Sequence, residues 1–178
     1  MDFIQNIDNT ILNFIHENFS NSLMDKVMPF ISSIANNGML WIIIAIIFIL
    51  TSKHRKYGVT LLIALTLSLV IGEVILKPLI GRIRPFNVND VLILIPSPSG
   101  FSFPSGHSMS SFTAATIIWN FNKRFGVVAF IAASVIAFSR LYLYVHYPTD
   151  VIGGAILGIM CGMLSCLIIF KIKKRNRI

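Results

Sequence analysis

From Tyr57 to Leu76 the chain runs for 20 residues with a single charge, Glu73. A helix of about 20 residues matches the roughly 30 Å hydrocarbon core of a bilayer, so this run is read as a membrane span. Further apolar stretches follow at about 105–121, 125–144 and 150–170, and a shorter one precedes it from Met39 to Thr51. With 55% hydrophobic and 12% charged residues over 178 positions, the expected fold is all-α: a polytopic integral membrane helix bundle forming one domain.

The net charge of +8 would suggest nucleic acid in a soluble protein, but the positions of the charges argue against it. Ten of the fifteen Lys and Arg residues fall in three clusters at span ends: Lys53, Arg55 and Lys56; Lys123 and Arg124; and Lys171, Lys173, Lys174, Arg175 and Arg177. The positive-inside rule places all three in the cytoplasm, the C-terminus with them. Residues 1–36 carry four acids against the single Lys26, which suits the opposite, outer side of a plasma membrane. Their apolar residues, Phe3, Ile4, Ile7, Ile11, Phe14 and Ile15, have helical spacing without a spanning run. The expectation is one or two amphipathic helices at the interface, the second over about Leu23 to Ile34, followed by the bundle proper at 37–178. Asp2 and Asp8 stand where a signal peptide would carry basic residues. Cys161 and Cys166 lie within the last apolar run and are read as packing.

Four basic residues, Lys77, Arg82, Arg84 and Arg140, fall at the opposite ends of the spans, where the charge rule gives them no reason to be. Arg82 is read as reaching lipid headgroups. The other three arrive with Pro104-Ser105-Gly106-His107 and with the segment from Ser139 to Asp150, on one side of the membrane. Three converging cations imply a multiply charged anion, and phosphate fits the planar fork of Arg and the point charge of Lys. Ser105 as N-cap and Gly106 would add backbone N–H groups at a helix N-terminus. His146 lies four residues before Asp150, so the carboxylate can hold one ring nitrogen and leave the other free as a base or nucleophile. His107 could then move a proton to and from the leaving and attacking oxygens.

Lys77 with Arg84-Pro85 after six intervening residues, Pro104-Ser105-Gly106-His107, and Ser139-Arg140 with His146 and Asp150 together resemble the three signature motifs of the type 2 phosphatidic acid phosphatase superfamily. The resemblance implies a haloperoxidase-like core of five to six helices and a lipid phosphatase that needs neither metal nor cofactor. It implies a phosphohistidine on His146, orientation by Asp150, general acid–base work by His107, and phosphate contacts from Lys77, Arg84, Ser105, Gly106 and Arg140. It also suggests the substrate: undecaprenyl diphosphate, in cell-wall lipid recycling, ahead of phosphatidylglycerophosphate and phosphatidate. The implied partners are a lipid phosphate and membrane lipid rather than nucleic acid. A zinc site from His107, His146 and Asp150 is opposed by the ring of cations. A vanadate-dependent haloperoxidase is opposed by the membrane spans. A carrier of anionic lipids would have no need of two histidines and an orienting aspartate.

Overall fold

The computed structural model describes residues 2–89 and 91–175, without the side chains of residues 2 and 170–175. All regular structure among them is helical: α1 (Asp2–Phe19), α2 (Met24–Ile34), a 3-10 turn (Asn36–Gly38), α3 (Met39–Leu50), α4 (Arg55–Leu69), a π-helical segment (Val70–Leu76), α5 (Lys77–Ile80), α6 (Pro85–Val88), α7 (Gly106–Phe121), α8 (Lys123–Tyr142) and α9 (Pro148–Arg175). Arg55–Val88, Lys123–Tyr142 and Pro148–Ile169 are each long and apolar enough to cross a membrane. Met24–Ile34 and Asn36–Leu50 reach that length together, with a 42° bend between them. At the bend Asn37 and Gly38 take left-handed φ values of 52° and 69°, which these two residue types tolerate best.

α7 is the central helix. It packs against α8 and α9 and also meets α4, so its Ser and Thr residues face protein. Trp41 on α3 donates from its indole Nε1 to Ser111 at 2.9 Å, and Thr113 donates to the carbonyl of Gly158 at 3.0 Å. Along α9 the seam is glycine. A Cβ at Gly158 would lie 2.3 Å from the Met109 carbonyl oxygen, and one at Gly154 would lie 2.6 Å from that of Ser105. The two backbones therefore approach as only glycine allows.

Aromatic contacts tie the turn between α3 and α4 to the end of α7. Phe121 meets His54 at 4.7 Å and Phe48 at 4.9 Å between ring centroids. The clusters at 53–56 and 123–124 thus share one end of the bundle, and α4, α8 and α9 bring the motif residues to the other. The third basic cluster, at 171–177, has side chains outside the described residues.

The second span continues past Leu76, where its apolar run ends in the sequence. Pro78 has no N–H and its ring crowds the carbonyl four residues back. The wider π turn over Val70–Leu76 precedes it, and helix persists to Ile80 before Gly81 ends it with φ 62°. Lys77 therefore stands on a helix, one turn from Glu73.

α1 and α2 expose Phe3, Ile4, Phe14 and Phe30 and bury Leu12 and Met28 against the bundle. α2 lies on α8, and α1 touches α8 and α9. The seam between α7 and α9 makes a prediction: Gly158→Ala should force the two helices apart and cost about 1–3 kcal/mol. Thermal unfolding in detergent would read this, with Ile156→Ala on the exposed face of α9 as a near-neutral comparison.

Candidate active site

His146 stands between α8 and α9 and is 2% exposed. The chain reverses just ahead of it through Tyr144, a non-glycine residue with φ 59°. Such a conformation needs external support. The Tyr144 hydroxyl supplies it by donating to Asn13 of α1 at 2.6 Å and accepting from Asn89 at 3.0 Å.

Arg84 fixes the ring from one side. Its Nε donates to the carbonyl of Gly100 at 3.0 Å and its Nη2 to that of Ser99 at 3.1 Å. Its Nη1 donates to the carbonyl of Val145 at 3.0 Å and stands 3.3 Å from His146 Nε2. A guanidinium can only donate. Nε2 therefore presents its lone pair, and the ring hydrogen sits on Nδ1.

On the Nδ1 side, Asp150 Oδ2 lies 3.7 Å away, beyond hydrogen-bond reach. Ser102 fills the interval: its Oγ is 3.4 Å from Nδ1 and donates to Asp150 Oδ2 at 2.5 Å. The same carboxylate oxygen accepts from the backbone N–H of Tyr147 at 2.8 Å. Burial pushes the His146 ring well below its ordinary pKa; Asp150 opposes the shift, and Arg140 and Arg84 add to it. The direction of the shift favours the neutral ring.

Arg140, 3% exposed, uses Nη1 to donate to Ser32 of α2, while its Nε has no hydrogen-bond partner. Arg140 also lines a cavity, and a buried guanidinium with donors to spare suits an anion there. Lys77 is paired with Glu73 at 2.7 Å. These groups line a cavity of about 520 Å³ together with Gly106, His107 and His146. Its far wall is apolar, made of Ile42 on α3 and Leu62, Leu65 and Leu69 on α4.

His107 opens onto the same cavity, and its Nε2 lies 3.0 Å from Asn36 Oδ1 at the bend between α2 and α3. A Cβ at Gly106 would meet the Glu73 carboxylate at 2.4 Å, so a side chain there would displace Glu73. Ser105 is fully buried and does not line the cavity. Its hydroxyl caps α7, accepting from the N–H of Ser108 at 3.4 Å, and its own N–H donates to the carbonyl of Asp150 at 3.0 Å. What it offers an anion is the N-terminal turn that it caps.

Seven of the eight residues singled out in the sequence thus surround or directly support one cavity, and Ser105 sits beneath it. The zinc arrangement does not assemble: among the described residues no group of three His, Cys, Asp or Glu side chains is placed to hold an ion.

Four contributors escaped the sequence reading. Arg82 does not snorkel; it joins Asp8 of α1 at 2.6 Å to Asp150 at 2.7 Å. Asp8 had one visible signal, since it shares a helical face with the buried Leu12 and Ile15. Ser102 and Asn36 had none, because their partners lie 44 and 71 residues away in the chain.

Residues 57–174 match the model of the PAP2 superfamily. The chain is 35% identical to the undecaprenyl-diphosphatase of Sulfolobus acidocaldarius over 80% of its own length and 69% of that protein. It is 30% identical to an undecaprenyl-diphosphatase of Bacillus subtilis over 81% of this chain and 74% of that one. The crystal structure of a transmembrane PAP2-type phosphatidylglycerolphosphate phosphatase from Bacillus subtilis superposes with a TM-score of 0.80 at 27% identity, covering 97% of this chain and 89% of that one. The motif residues, the helical bundle and these likenesses agree, and the chain belongs to the PAP2 superfamily.

Proposed function

We propose that this membrane phosphatase removes the terminal phosphate of undecaprenyl diphosphate through a phosphohistidine on His146, at the outer face of the plasma membrane. The observation that carries the reading is His146 Nε2, unprotonated and 3.3 Å from Arg84, on a ring that lines a cavity where Lys77 and Arg140 also converge. Nε2 attacks phosphorus, the phosphorus–oxygen bond to the lipid breaks, and the cations stabilise charge on the equatorial oxygens. The ring carries positive charge once phosphorylated, and Asp150 stabilises it through Ser102 and the Nδ1 hydrogen. His107 gives a proton to the departing oxygen. It then takes one from the water that attacks the phosphohistidine, and inorganic phosphate leaves. No step needs a metal ion. The apolar wall suits a lipid chain beside the headgroup.

Undecaprenyl diphosphate stands first because relatives 35% and 30% identical to this chain over four-fifths of its length are undecaprenyl-diphosphatases; phosphatidylglycerophosphate and phosphatidate follow. The outer placement rests on the two basic clusters at the far end of the bundle, and it puts the C-terminus in the cytoplasm. Binding without turnover, as in a carrier, would leave the paired histidines unexplained.

Phosphate release from purified protein in detergent with EDTA tests the reaction. Turnover should persist, and His146→Ala should abolish it while the lipid still binds. Release by His146→Ala equal to the wild type would refute the nucleophile, and no release by the wild type would favour a carrier.

The two lipid classes differ in what leaves. A diphosphate expels a phosphate monoester, a good leaving group, whereas a phosphomonoester expels an alkoxide that needs a proton. His107→Gln should therefore slow phosphoenzyme formation from phosphatidylglycerophosphate far more than from undecaprenyl diphosphate, as read in single-turnover quench experiments.

Nitrogen-15 NMR of labelled histidine should find the His146 ring neutral and protonated on Nδ1 as pH falls through about 6.5, the ordinary histidine midpoint. The sign follows from the lowered pKa, and a ring that titrates at or above that value would contradict it.

A further inference from the structure

Arg82 is the one cation of the four at this end that does not line the cavity, so a bound phosphate is not its partner. Its guanidinium lies over the Tyr147 ring, with Cζ 4.0 Å from the centroid, and its two terminal nitrogens donate to two carboxylates. Nη1 donates to Asp150 Oδ1 and to Thr149 Oγ1, both at 2.7 Å. Nη2 donates to Asp8 Oδ2 at 2.6 Å and to Gln5 Oε1 at 2.8 Å. Asp8 and Asp150 are both fully buried. Asp8 is held in turn by α9, accepting from the Thr149 N–H at 3.0 Å and from its hydroxyl at 2.5 Å.

We propose that Asp8 and Arg82 are positioning residues for the reaction, with α1 setting the orientation and effective charge of Asp150 behind His146. The proposal rests on the reading of His146 as nucleophile.

Two physical consequences of the geometry support it. The first is orientation. Arg82 takes Oδ1 of Asp150 and leaves Oδ2 to Ser102, the Tyr147 N–H and the Nδ1 side of His146. Without Arg82, Oδ1 loses its side-chain partner, and the orientation of the carboxylate rests on the contacts of Oδ2 alone. Lysine could supply the charge but not the planar set of four contacts that Nη1 and Nη2 make.

The second is charge. One guanidinium is shared by two buried carboxylates, so neither is fully neutralised. If Asp8 loses its charge, Arg82 pairs with Asp150 alone. Asp150 then does less for the positive charge that develops on the ring as Nε2 takes the phosphoryl group. The effect falls on the chemical step and not on binding, because none of Asp8, Arg82 and Asp150 lines the cavity.

A clamp that merely holds α1 on the bundle would use the same contacts, and kinetics separates the two. Full-length Asp8→Asn, Asp8→Glu, Arg82→Lys and His146→Ala are compared in detergent with undecaprenyl diphosphate, well below each variant's unfolding temperature. Asp8→Asn and Arg82→Lys are expected to lower kcat by about tenfold to a hundredfold, the range seen when residues supporting a catalytic group are lost. KM should change less than about twofold, as for an interaction made in the transition state. Asp8→Glu should recover part of kcat. In an Asp150→Asn background, Arg82→Lys should cost little more, because the two act through one path.

Wild-type kcat in folded Asp8→Asn and Arg82→Lys, or losses that multiply with Asp150→Asn, would overturn the proposal and leave a fold clamp. Failure of both variants to fold would have the same meaning. If His146→Ala keeps turnover, the nucleophile assignment fails first. If it is inactive while Asp8→Asn and Arg82→Lys behave as wild type, only the positioning role is lost.

Discussion

Asp150 is a fully buried carboxylate in the first turn of an apolar helix, and the catalytic end of the bundle is arranged around satisfying it. A charge removed from water costs several kcal/mol unless it is paired and hydrogen-bonded. Here the partners come from three separate segments: Arg82 after α5, Ser102 before α7, and the N–H of Tyr147 before α9. The N-terminus of α9 adds the favourable end of its dipole. Meeting the needs of one carboxylate pins the segments that also carry Arg84, Gly106, His107 and His146.

The cationic side of the cavity is left incomplete by contrast. Arg140 keeps an unsatisfied Nε, and Lys77 leans on the half-exposed Glu73. Arg84 spends most of its donors on carbonyls yet keeps one nitrogen beside His146 Nε2. A phosphoryl group entering this space meets donors already fixed in place, which is the condition for stabilising charge without reorganisation. The glycine seam serves the same purpose at longer range. It draws α7 against α9 closely enough for Ser105 to bond the Asp150 backbone, which brings the turn carrying His107 to the cavity.

The N-terminal helices complete this arrangement. Ser32 and Asn36 of the α2–α3 bend reach Arg140 and His107, and Asn13 and Asp8 of α1 reach Tyr144 and Arg82. Both helices present apolar faces outward and polar contacts inward. A segment without a motif of its own thus contacts each part of the site that the motifs supply.

The sequence by itself determined the class and the chemistry. A run of 20 residues from Tyr57 with one charge can be satisfied as a helix in hydrocarbon, and basic clusters at alternate span ends fix which ends lie together. Lys77, Arg84, Arg140, His107, His146 and Asp150 could be singled out because they lie away from the basic clusters and in recognisable spacing, and the structure gathers them around one cavity. Tertiary structure alone decided the partners. That Ser102 stands between His146 and Asp150, that Arg82 faces Asp8 rather than headgroups, and that Asn36 holds His107 depend on contacts across 44 to 74 residues of chain. Periodicity and local charge carry no record of such contacts. The continuation of the second span past Leu76 was hidden for a similar reason: proline reads as a stop in sequence, but a π turn before it lets the helix continue and sets Lys77 above Glu73.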